Sequence, residues 1–189
     1  MREKDDAFLL VDAQVDFFPG GALPVPGGDE ILAPVNRLLA WCRREEVPVV
    51  ASRDWHPEDH CSFATRGGRW PVHCVRGTAG AALHPELDLP PLFTMVHKAT
   101  AREADAYSAF DGTGLGEALR ARSVRRLLVA GLALDYCVKA SGLDAIREGF
   151  AVSLVLPATR AVEVAPGDAG RALDELRAVG VEVLEEVPQ

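Results

Sequence analysis

Leu127-Leu128-Val129-Ala130-Gly131-Leu132-Ala133-Leu134-Asp135-Tyr136-Cys137-Val138 is the stretch whose reading decides the fold. Four apolar residues in a row, closed by glycine, read as a strand covered on both faces. Leu132-Ala133-Leu134 is a tight turn, and Asp135 is placed to cap a helix over 135–148. Working outward, the same alternation recurs. Ala7 to Val11 is a second apolar run, ending at Asp12. Ile31, Leu32, Val35, Leu38, Leu39 and Cys42 form one stripe of a helix, with Asp29 as its expected N-cap and Pro34 in its early turns. Val47 to Ser52, Phe93 to His97, Ala151 to Leu156 and Val181 to Leu184 read as strands. Further helices are expected near 114–122 and 167–178. Strand–helix alternation of this kind predicts an α/β fold: a mostly parallel sheet of five to six strands with helices on both faces.

The 189 residues, 48% hydrophobic and 25% charged, are ordinary for one globular domain spanning 1–189. Asp+Glu 28 against Lys+Arg 20 leaves a net charge of −8, a field that repels a phosphate backbone, so no nucleic-acid partner is expected. Apolar stretches fall far short of the ~20 residues of a spanning helix, and no membrane partner is expected. The opening Met1-Arg2-Glu3-Lys4-Asp5-Asp6 is too acidic for a signal peptide, which predicts a cytoplasmic location. Cysteines at 42, 61, 74 and 137 form no C-x-x-C pair, and each defaults to a small buried hydrophobe. α/β domains of this size often self-associate, so a homo-oligomer is one expected form.

In parallel sheets ligands bind beyond the carboxyl ends of the strands. Four such places carry polar or reactive residues: Asp12, Arg53-Asp54, Lys98, and Gly131 to Cys137. Cys137 falls in the first turn of its helix, where free N–H groups and the dipole favour a thiolate. It reads equally as a nucleophile or as a buried structural cysteine. Asp12 reads as a general base or an ion-pair partner, and Lys98 as its electrostatic partner or a snorkelling lysine. Asp54-Trp55-His56, His60 and His73 offer one carboxylate and two or three imidazoles, a set that suits zinc, iron or manganese. Period two places Asp54 and His56 on one side of an extended segment. Between 53 and 92 the regular pattern breaks into a long segment, and loops that long are usually functional. Aromatic residues in and near it, among them Phe17, Trp70 and Tyr107, can stack on a flat ligand. No glycine-rich phosphate cradle is present.

Taken in order, these residues resemble a known family. Leu10-Val11-Asp12-Ala13-Gln14-Val15-Asp16-Phe17-Phe18 with Gly20-Gly21 looks like the opening of the nicotinamidases, within the isochorismatase-like cysteine hydrolase superfamily. Ser52-Arg53-Asp54-Trp55-His56-Pro57, His60 with Ser62-Phe63, and Trp70-Pro71-Val72-His73-Cys74-Val75 continue it. So do His97-Lys98, Asp105 to Phe110 and Gly131 to Val138, and the match runs from about residue 7 to 160.

The resemblance implies a three-layer fold, a catalytic triad of Asp12, Lys98 and Cys137, and metal ligands Asp54, His56 and His73. It implies one divalent ion, zinc first with iron or manganese as alternatives, with water where some members supply a further ligand. His60 matches a position near the metal and outside its primary shell. Phe17 and Trp70 match residues flanking a pyridine ring, with Tyr107 beside them. Leu132–Ala133 matches a cis peptide that turns an N–H toward the substrate oxygen. The implied substrate is nicotinamide, hydrolysed to nicotinate and ammonia through a cysteine thioester in NAD salvage. Two rival readings are a related metal-independent amidase of the N-carbamoylsarcosine or ureidoacrylate type, which lacks the D-x-H and distant histidine, and a non-catalytic metal-binding module, which leaves Asp12 and Lys98 without a role.

Overall fold

A computed structural model describes residues 5–189; Met1–Lys4, part of the acidic opening read above, lie outside the described residues. Among the described residues six strands form one sheet: β1 (Asp6–Val11), β2 (Val49–Asp54), β3 (Thr94–Lys98), β4 (Arg126–Leu132), β5 (Ala151–Arg160) and β6 (Glu182–Leu184). All pairings are parallel, in the order β3-β2-β1-β4-β5-β6. Among the described residues four α-helices accompany them: α1 (Leu32–Arg44), α2 (Leu115–Ala121), α3 (Lys139–Arg147) and α4 (Asp168–Ala178).

Alternate residues of β1 feed two cores. Phe8 and Leu10 pack with Val35, Leu38, Leu39 and Cys42 of α1 on one face. Ala7, Leu9 and Val11 pack on the other with Leu115 and Leu119 of α2, Ala145 of α3, and Ala172 and Leu176 of α4. Burying each larger aliphatic or aromatic side chain contributes about 1.5–3 kcal/mol, and β1 places every one of its residues in the interior. At the far end of the sheet Asp6 and Arg126, paired in register, form a two-pronged ion pair at 2.8 and 2.9 Å.

The order of connection reverses between β1 and β4. The chain travels outward from β1 through β2 to β3, then returns to β4 and travels outward through β5 to β6. Neighbouring strands whose connections depart in opposite directions leave a crevice at their carboxyl ends. Asp12 follows β1 and Cys137 follows β4, so the crevice holds both.

Three local expectations are corrected. Asp29 does not cap α1: a 3-10 turn over Gly28–Ile31 leads into the helix, and Ile31 stands at the cap without a side-chain bond. β2 begins and ends later than the apolar run suggested, which brings Asp54 into the strand. β5 continues past Pro157 to Arg160, because its pairing with β4 shifts register between Val129 and Gly131 and residues 155–158 bulge opposite Ala130. The connection from β2 to β3 carries a short 3-10 turn, Ala64–Arg66, and isolated bridges of His56 with Val75, Phe63 with Trp70 and Leu83 with Gln14. Among the described residues no helix is long and apolar enough to cross a membrane.

Candidate active site

The site grows from the last residues of four strands. At the end of β1, Asp12 takes a left-handed φ of 45°, which turns the chain sharply out of the sheet. β4 runs beside it at Gly131, whose φ is 121° and where a Cβ would stand 2.0 Å from the Val11 carbonyl oxygen. Only glycine lets these two strand ends approach so closely. The peptide between Leu132 and Ala133 is cis. Ala133 O accepts from the Tyr136 N–H at 3.0 Å and the Val138 N–H at 3.1 Å, closing a π-helical turn, Leu134–Val138, that runs on into α3.

Asp135 is not the cap of that turn. Its carboxylate is buried, and its two oxygens accept the Val162 and Glu163 N–H groups, both at 2.9 Å. It ties the elbow that carries Cys137 to the segment after β5.

Lys98 is the hub. Its side chain is fully buried, and Nζ lies 2.9 Å from Asp12 Oδ2, 2.5 Å from Asp54 Oδ1 and 3.4 Å from Cys137 Sγ, while donating to Ala106 O at 3.2 Å. Parallel register sets Asp54 directly beside Lys98. Asp12, Asp54 and Cys137 each place a polar atom within 4.8 Å of the others. Ser52 Oγ–H donates to Asp12 Oδ1 at 2.7 Å.

Electrostatics follow from dry surroundings. Burial pulls the Lys98 ammonium down, but two adjacent carboxylates outweigh it and hold the group charged, well above the ordinary lysine value. Burial raises the Asp12 carboxyl, only partly opposed by Lys98 and Ser52. Asp54 feels the same burial, yet Lys98 and His56 pull it below the usual carboxylate value. At Cys137 burial dominates and Lys98 offsets it in part, so the thiol is held well above its ordinary value. The thiolate expected from the helix terminus is therefore overridden: the resting group is a thiol 6% exposed, with a carboxylate at hand to receive its proton.

On the other side of Asp54 lie His56 and His73, and the three residues place one ligand atom each within 4.8 Å of one another. Nδ1 of His56 faces Ala99 O at 3.2 Å and Nδ1 of His73 faces Pro71 O at 2.7 Å. Carbonyls only accept, so both Nδ1 atoms carry the hydrogen, and both Nε2 lone pairs are left for another acid. Burial lowers His56 to about 4 and also lowers His73, which keeps both imidazoles neutral. Two neutral imidazoles and one carboxylate form a donor set that fits a divalent transition ion. Two carboxylates around one ammonium also leave an excess of negative charge that such an ion would offset.

His60 is spoken for. Its Nε2–H donates to Ala104 O at 3.1 Å, and its Nδ1 accepts from Ser62 Oγ–H at 2.8 Å and Ser62 N–H at 3.3 Å. With both nitrogens used it meets His56 by ring stacking, centroids 4.2 Å apart. Gln14, missed in the sequence, is fully buried and clamps Asp54: its Oε1 accepts the Asp54 N–H at 2.7 Å, and its Nε2 donates to Asp54 O at 2.9 Å.

Phe17, Trp70 and Tyr107 line one pocket with Asp54, His73 and Cys137. Trp70 Nε1–H donates to Tyr107 Oη at 3.0 Å, and the Trp70 ring meets Tyr136 edge-on at 5.2 Å. Leu23, Val25 and Val162 give the pocket an apolar edge. The Leu132 side chain, by contrast, is in the core, so its part in the site is confined to its peptide.

A family model, isochorismatase domain, matches residues 6–186. The chain belongs to the isochorismatase family. Among its relatives in that family, the nicotinamidase of Escherichia coli is 40% identical over 92% of this chain and 92% of its own. A solved structure of the pyrazinamidase of Pyrococcus horikoshii in complex with zinc superposes with a TM-score of 0.91, at 44% identity over 95% of this chain and 98% of that one. The PnC1 protein of L. infantum in complex with nicotinate gives 0.87, at 40% identity over 95% and 91%.

Proposed function

We propose that this protein is a nicotinamidase: it hydrolyses nicotinamide to nicotinate and ammonia through a thioester on Cys137, in NAD salvage. The observation that carries the reading is Lys98 Nζ between Asp12 and Cys137 Sγ, with the Asp54, His56 and His73 donors on the same pocket. Relatives named for that activity, one neighbour holding zinc and another holding nicotinate support it.

Asp54, His56 and His73 would hold the ion, zinc first with iron or manganese as alternatives, and when bound it would supply a Lewis-acidic anchor for a ring nitrogen. Phe17 and Trp70 flank the ring, and the Tyr107 hydroxyl, which accepts from Trp70, keeps its own hydrogen to donate. Asp12 takes the Cys137 proton as Sγ adds to the carboxamide carbon. Lys98 stays charged throughout and holds both Asp12 and the sulfur in place. Backbone N–H groups of Ala133 and Cys137 receive the oxyanion. The C–N bond then breaks, the proton on Asp12 leaves with ammonia, and a thioester remains. Asp12 next draws a proton from water, which adds to the thioester; nicotinate departs and Cys137 recovers its hydrogen.

An ammonia-release screen over nicotinamide, pyrazinamide and carbamoyl amino acids, paired with elemental analysis, tests the proposal. Release from nicotinamide by protein carrying about one metal equivalent is expected. Release from carbamoyl amino acids alone, by metal-free protein, overturns it.

A further inference from the structure

Asp16 takes no part in the steps above, yet its carboxylate joins the two loops that build the pocket. It stands in a 3-10 turn, Val15–Phe17, directly before the aromatic wall. Oδ1 accepts the Ala22 N–H at 3.1 Å, and the Asp16 carbonyl accepts the Leu23 N–H at 2.9 Å. These bonds fold the chain back so that Phe17 and Leu23 meet on one pocket wall. Oδ2 accepts the Cys74 N–H at 2.7 Å, in the peptide that follows His73. Cys74 holds a left-handed φ of 46°, and its carbonyl accepts the His56 N–H at 3.1 Å. Cys74 is thus held at its N–H by Asp16 and at its carbonyl by His56, and it sets the spacing of both imidazole-bearing segments.

Space has been cleared for this carboxylate. A Cβ on Gly80 would stand 2.2 Å from Asp16 Oδ2, and one on Gly21 would stand 2.5 Å from Asp16 Cα. The Asp16 N–H also donates to Gly80 O at 3.1 Å. Gly80 has no positive φ, so a methyl group there collides with the carboxylate without demanding a new backbone conformation.

We infer that Asp16 is a positioning residue that sets the metal donors and the ring wall together, through one pair of charge-assisted hydrogen bonds. Both of its oxygens accept from N–H groups. Asparagine offers one acceptor and one amino group, so it matches the size and opposes one of the two bonds. The ring-wall half rests on the nicotinamidase reading; the metal half does not.

The test compares D16N, G80A and the pair D16A and D16A/G80A with the unsubstituted protein. Four quantities are measured: zinc affinity by chelator competition, the visible spectrum of the cobalt(II)-loaded protein, nicotinate affinity by calorimetry, and the rate of Cys137 alkylation. D16N and G80A should each weaken zinc binding at least tenfold, alter the cobalt bands and weaken nicotinate binding. Alkylation should stay within twofold, because no bond of Asp16 reaches Cys137. D16A/G80A should match D16A within twofold, since the added methyl then meets no carboxylate. Zinc affinity within twofold of the original in D16N, or losses that multiply in the double variant, overturns the inference. Should D16N fail to fold, G80A decides by the same thresholds. If the unsubstituted protein releases no ammonia from nicotinamide, the functional reading and the nicotinate arm fall, while the zinc and cobalt arms still decide the role of Asp16.

Discussion

Lys98 Nζ lies 2.5 Å from Asp54 Oδ1 and 2.9 Å from Asp12 Oδ2, so the ammonium paired with Asp12 also grips a residue of the Asp54–His56–His73 cluster. The Cys137 sulfur, 3.4 Å from the same ammonium, and that cluster are therefore one electrostatic unit. A change at Lys98 is felt on both sides.

Lys98→Met keeps much of the side-chain bulk and removes the charge. Asp12 and Asp54 are then left buried with no cation between them, and breaking a buried pair of this kind costs about 3–5 kcal/mol. A matching fall in urea-unfolding free energy is expected, together with loss of turnover of at least ~10²-fold. Unchanged turnover would remove Lys98 from the chemistry.

Ser52→Ala removes the hydroxyl that donates to Asp12 Oδ1. That bond lowers the Asp12 carboxyl, so its loss raises the group further. A base that protonates more readily loses activity sooner on acidification, so the acid limb of kcat/KM should move to higher pH. Loss of a hydrogen bond to a charged group costs about 1.5–3 kcal/mol, which the fold should survive. The pH profile of ammonia release is the measurement, and an unmoved limb speaks against Asp12 as the base.

His56 sets an acid sensitivity in the metal-free protein. Burial lowers its folded value from 6.5 to about 4. Between those values the unfolded chain binds a proton that the folded one refuses, so stability is present above pH 6.5 and lost as pH falls toward 4, by up to about 3 kcal/mol from this residue. Thermal scans of chelator-treated His56→Gln should show a smaller loss over that window than the unsubstituted protein. An equal loss in both would place the acid sensitivity elsewhere.

His73→Ala deletes one donor whose Nδ1–H is fixed by Pro71. Bound metal, read by elemental analysis after dialysis, should fall at least tenfold, and nicotinamide KM should rise with it. Metal content equal to the original contradicts the donor assignment.

Much of this architecture could be read along the chain. Apolar runs that stop at Asp12, Lys98 and the Gly131 turn mark strand ends, and strand ends of a parallel sheet face one crevice. Pairings across long separations could not be read. The Asp54–Lys98 contact depends on the register of β2 against β3 across the irregular 55–93 segment, which no local pattern encodes. Gln14 looks like any polar residue after a strand; its clamp on Asp54 arises only because the chain turns at Asp12. Position alone marks both Asp29 and Asp135 as helix caps. In each case tertiary contacts prevailed: a 3-10 turn took over the entry to α1, and two backbone N–H groups 27 and 28 residues away claimed Asp135. The thiolate expected of Cys137 failed for a related reason, since a local helix terminus carries no information about how much of the fold covers the sulfur.

Ammonia release from saturating nicotinamide by Cys137→Ala, measured on protein whose metal content matches the original, probes the thioester most directly. A drop of at least ~10³-fold with folding and metal intact is the predicted result. Turnover that survives the loss of this sulfur would mean that the carboxamide is cleaved by some other nucleophile.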